Sequence, residues 1–123
     1  MITVRKNRSV HIPQSDRQIG FENDHLVETR YFEITDPDIL DFSFKLDIKN
    51  TMDIVDLYPV EKSDTRTVLG WDITSGVIGD GGIIEAQLRA FEANGERVWH
   101  SEVMQFTSGS SVNAVNEAND ENI

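Results

Sequence analysis

The chain of 123 residues contains no cysteine. That excludes a disulfide framework, a thiolate metal centre and a cysteine nucleophile. Positive charge is scarce: Lys and Arg number 11 against 22 Asp and Glu, a formal net charge of −11. Nucleic acid would meet a repulsive field, because phosphate contacts need clustered cations, so no nucleic-acid partner is expected. Long hydrophobic runs are missing, so no segment reads as crossing a membrane. The opening Met1-Ile2-Thr3-Val4-Arg5-Lys6 lacks the apolar stretch and small-residue cleavage site of a signal peptide. Hydrophobic residues make up 38% of the chain. They are grouped, which allows one core of modest size and one ordinary domain.

What the chain does have is short strand patterns. Ile2 and Val4, then Val10 and Ile12, flank a basic turn at Arg5, Lys6 and Arg8, and Pro13 ends the second strand. With Arg17, these cations make the first twenty residues basic against an acidic remainder. Residues 1–20 are therefore read as an N-terminal strand arm, and Arg5, Lys6, Arg8 and Arg17 as candidate contacts to an acidic partner surface. The segment from His25 to Ile34 is a strand by its β-branched and aromatic content. Phe42, Phe44, Leu46 and Ile48 alternate with polar neighbours in strict period two, which no helix can place on one face. Ile54 to Val60 follows, an edge or bulged strand because of Pro59. Next comes Thr67 to Ile73, then a glycine-rich loop with one helical turn near Val77 and Ile78. Ile84 to Ala90 and Glu96 to Phe106 form a closing hairpin, with Asn94-Gly95 as a type I′ turn and a bulge near Glu102 and Val103.

These patterns predict an all-β fold, a small antiparallel β-sandwich of seven or eight strands over residues 21–107; a small β-barrel is the alternative. Residues 108–123, polar and poor in aromatics, read as a flexible C-terminal tail. The expected core is Tyr31, Phe42, Phe44, Leu46, Ile48, Leu69, Trp71, Leu88 and Phe106.

Chemistry is harder to place. His11, His25 and His100 fall on separate strands with no metal-ligand spacing, so no metal is expected. Asp36, Asp38 and Asp41 lack the glycine and distal glutamate of a calcium loop and read as turn chemistry. The glycines between Gly76 and Gly82 precede a strand with no Lys-Ser or Lys-Thr, so they cannot cradle phosphate as a P-loop does. No nucleophile elbow is present. Neither a catalytic residue nor a cofactor is expected, and the chain is not read as an enzyme. Trp71, Trp99 and Tyr58 are candidate sugar-stacking residues of an alternative carbohydrate-binding module. For the two tryptophans, inside apolar strands, core packing is the better reading.

Three stretches resemble a known family. Val27-Glu28-Thr29-Arg30-Tyr31-Phe32-Glu33-Ile34 is similar to the opening strand of small phage tail and baseplate proteins. Leu69-Gly70-Trp71-Asp72-Ile73-Thr74 with Gly81-Gly82 resembles their central strand and glycine loop. Gln87-Leu88-Arg89-Ala90-Phe91 and Val98-Trp99-His100-Ser101 resemble their closing hairpin. Across Val27 to Phe106 the likeness is to the N-terminal domain of the baseplate upper protein family, a β-sandwich. It implies a virion structural protein, made in the bacterial host cytoplasm and built into the phage or prophage tail. There it would attach receptor-binding or fibre parts by protein–protein interaction with other tail and baseplate proteins, usually as a homo-oligomer, with no activity of its own.

Overall fold

Strict alternation puts Phe44, Leu46 and Ile48 on one side of their strand, and all three are buried between two sheets. The computed structural model describes residues 1–110. Its strands are β1 (Ile2–Val4), β2 (Val10–His11), β3 (Gln18–Phe21), β4 (Thr29–Ile34), β5 (Ser43–Ile48), β6 (Ile54–Asp56), β7 (Tyr58–Lys62), β8 (Thr67–Asp72), β9 (Gly82–Phe91) and β10 (Val98–Gly109). Two single-turn helices, α1 (Gln14–Arg17) and α2 (Ser75–Ile78), interrupt them. The first sheet has the order β2-β1-β4-β8-β7 and the second β3-β10-β9-β5-β6. Together they form the all-β sandwich that the strand patterns predict.

The sheets are mixed, however, and not purely antiparallel: β1 runs parallel to β4, and β3 parallel to β10. The strand count also exceeds seven or eight. Ile54 to Val60 splits at the buried Leu57, leaving β6 in one sheet and β7 in the other. Gln18–Phe21 adds a strand the pattern did not reveal.

The first twenty residues are not an arm beside the sandwich. Ile2, Val4 and Ile19 are fully buried, and β1 and β3 sit in opposite sheets. Burying each such side chain is worth about 1.5–3 kcal/mol, more than a solvated basic turn can offset. At the other end, Ser108 and Gly109 of the expected tail belong to β10, and residues 111–123 lie outside the described residues.

Trp71 occupies the centre of the core. Its ring meets Phe32 of its own sheet at 6.1 Å and Phe106 of the facing sheet, edge-on, at 5.2 Å. Of the expected core, Phe42 is only partly buried, and Tyr31 is 41% exposed. Phe32 and Ile34 take the inward phase of β4, so Tyr31 and Glu33 must point out.

The bulge in the closing hairpin lies where it was expected, with the register shifting between His100 and Val103. Ser101 Oγ accepts the Leu88 N–H there at 3.1 Å, replacing the lost ladder partner. The turn differs from a two-residue type I′ turn. Neither Asn94 nor Gly95 has positive φ, and the loop is closed by the Glu92 N–H donating to the Arg97 carbonyl at 3.2 Å. An ion pair between Arg97 and Glu92 at 3.0 Å holds this longer loop, with the Glu92 side chain lying over Gly95. Asp36 does turn chemistry, its carboxylate accepting the Asp38 N–H at 3.0 Å.

Candidate interaction face

The four basic candidates of the N-terminal segment divide into two pairs. Arg8 donates to the His100 carbonyl at 2.9 Å and lies over the Trp99 ring at 5.5 Å, so it clamps the bulge of β10. Arg17 donates to the Gln105 carbonyl at 2.9 Å. Both cations therefore brace β10, Arg8 from an exposed position and Arg17 from a half-buried one. Arg5 and Lys6 stand exposed at the turn between β1 and β2, in no ion pair among the described residues. Of the three aromatic candidates, Trp71 is fully buried and Trp99 is 8% exposed under Arg8, which removes both as sugar platforms. Tyr58 remains on the surface.

The outer face of the second sheet has a different character from the rest of the molecule. Its residues come from alternate positions of β6, β5, β9 and β10, brought into rows by register. One row runs Ile54, Asp47, Gln87, Val103; the next runs Asp56, Lys45, Arg89, His100. Across β6, β5 with the adjoining Lys49, and β9, three cations face three carboxylates. Lys45 pairs with Asp56 at 3.5 Å and Lys49 with Glu85 at 3.3 Å. Arg89 grips Asp47 through two parallel N–H···O bonds of 3.0 Å. Within these three pairs the charges cancel, in a chain of net charge −11.

Beside these pairs lies a mostly apolar groove of about 370 Å³, lined by Met52, Ile54, Val103, Gln87 and Lys49 together with the carboxylates Asp47, Asp53 and Glu85. Met52 is 82% exposed and sits at φ +61, a backbone region unfavourable to a side-chain-bearing residue. Ile54 and Val103 are also exposed, as are Ile83 and Val98 on the same face. Nothing in the strand patterns marked this face. Its ion pairs join residues up to 42 positions apart and exist only because β5 pairs with β9 in one register.

The hydrogen bond from Lys49 holds the Glu85 carboxyl below its ordinary 4.5, and donation to the Asp47 carboxylate raises Arg89 further above its already high value. The stabilising share of Glu85 is therefore complete above pH 4.5 and is lost as pH falls through its lowered folded value. Replacing Lys49 by Met is expected to return the Glu85 carboxyl toward 4.5. An NMR titration of that carboxyl checks this, and an unmoved midpoint would show that Lys49 does not set it.

Among the described residues no group of three or more His, Asp or Glu is placed to hold a metal ion. No protein-family model matches the chain, and neither a curated protein nor a solved structure does.

Proposed function

We propose that the protein is a structural attachment module of a phage or prophage tail or baseplate, working by protein–protein contact, with the ion-paired face of its second sheet seating a second copy of the chain. The observation that carries this reading is the pairing of opposite charges on that face. Two copies of a chain at −11 repel each other, and repulsion is least where cations and carboxylates alternate. A two-fold contact also requires a surface complementary to itself. Lys45–Asp56, Lys49–Glu85 and Arg89–Asp47 beside an apolar strip suit such a contact, since the face offers both signs to a second copy. The tail assignment draws on the likeness over Val27 to Phe106, and a self-associating sandwich is the kind of part that such symmetric assemblies use.

Light scattering of the purified chain near physiological salt tests the contact, and a closed oligomer is the expected result. Ile54→Glu places a carboxylate at the centre of the strip and should weaken association at least about thirtyfold, or about 2 kcal/mol. Ile54 is exposed, so the fold should survive the change. A chain that is monomeric at every concentration, or a variant that associates as strongly as the parent, overturns the contact. Absence of the protein from tail particles purified from its host overturns the tail assignment.

A further inference from the structure

The opposite face of the sandwich, on the first sheet, carries the two tyrosines of the chain. Tyr31 on β4 and Tyr58 on β7 are both register partners of Gly70 on β8, so the three share one outward row. The Tyr58 ring lies across Gly70 in the space a side chain would take; a Cβ there would overlap Cε2 and Cζ of the ring. Its hydroxyl donates to Asp72 Oδ1 at 2.8 Å, and Thr29 Oγ1 donates to the same oxygen at 2.9 Å. Asp72 Oδ2 accepts no hydrogen bond among the described residues. Each tyrosine is 41% exposed.

We propose that Tyr31, Tyr58 and Asp72 form a saccharide-binding platform for a β-1,4-linked, gluco-configured oligosaccharide. Such a chain carries its hydroxyls equatorially and presents rows of C–H to either side. The C–H groups are weakly positive and suit the negative faces of two aromatic rings. Strands lie about 4.8 Å apart, so the two tyrosines stand on one row about 10 Å apart at the backbone, with Tyr58 leaning over the glycine between them. The open Asp72 oxygen is an acceptor, which favours a ligand whose rim consists of hydroxyl donors. A proline-rich peptide offers mainly carbonyl acceptors and leaves that oxygen unused. Asp72 also holds the Tyr58 hydroxyl protonated above its ordinary 10.0, which keeps the ring neutral and tethered. This platform uses the other sheet from the proposed self-association and does not depend on it.

The test is NMR of the tyrosine rings of the full chain, titrated with cellotetraose and with chitotetraose. Tyr31→Phe and Tyr58→Phe assign the two ring signals. Both rings should shift saturably with at least one of the sugars, and Tyr31→Ala or Tyr58→Ala should weaken binding on the order of tenfold. If Tyr58→Ala unsettles β7, Tyr31→Ala decides alone. Rings that do not move at millimolar sugar, binding that survives both alanine changes, or shifts produced only by a proline-rich peptide would overturn the proposal.

Discussion

Replacing Trp71 by Ala is expected to lower the free energy of unfolding by about 3–5 kcal/mol, the largest effect of any single substitution discussed. Trp71 has no exposure, and it links the sheets through Phe32 and Phe106. Its removal would leave a cavity lined by rings that cannot close in from both sheets. Trp71→Phe should cost far less, about 1–2 kcal/mol. The indole N–H is buried without a hydrogen-bond partner among the described residues, so phenylalanine sheds an unpaired donor while keeping most of the contact. Urea unfolding of the three proteins checks the ordering. Equal losses for Ala and Phe would mean that the indole itself, and not the ring volume, holds the sheets together.

Arg30→Ala should be the second large loss, about 2–3 kcal/mol after allowance for partial solvent screening. Arg30 takes the inward phase of β4 at the mouth of the sandwich, and its side chain is only 11% exposed. Its Nε donates to the Asp16 carbonyl at 3.1 Å, and its two terminal nitrogens donate to Glu28 Oε1 at 2.9 Å and to the Gln18 carbonyl. One guanidinium thus ties β4 of the first sheet to α1 and β3, at the edge of the second. Arg30→Lys should not rescue stability, because a single ammonium cannot reach three acceptors in that fork. Hydrogen exchange adds a local readout: amides of β3 should lose protection before those of β9. An unchanged urea midpoint in Arg30→Ala would show that pairing with β10 and burial of Ile19 hold β3 without Arg30.

Much of the fold was legible because side-chain alternation is a local property. Phe44, Leu46 and Ile48 had to share a face, and so did Ile84, Ala86, Leu88 and Ala90. The bulge after His100 was visible as a break in that alternation. Where two phases were both plausible, local pattern failed. Around Tyr31 and Phe32 both positions are aromatic, and only docking of β4 against β1 and β8 selected Phe32 for the core. The same limit applied to Gln18–Phe21, too short and too polar at its start to announce a strand until β10 supplied its partner.

The candidate sites were less legible still. A sequence shows the charge of Arg8 and Arg17 and not the carbonyls of His100 and Gln105 to which they donate. Likewise, nothing near Gly70 in the sequence shows that the Tyr58 ring lies across it.

By itself, the sequence determined the strand class, the apolar stripe within each strand, and the excess of negative charge, since each depends on residues close along the chain. Tertiary structure alone decided which charges neutralise one another and which aromatics face water. Asp47 meets Arg89, and Tyr31 and Tyr58 flank Gly70 in one row, only when strands distant in sequence pair in one register. A slip of one residue would turn every one of these side chains to the opposite face.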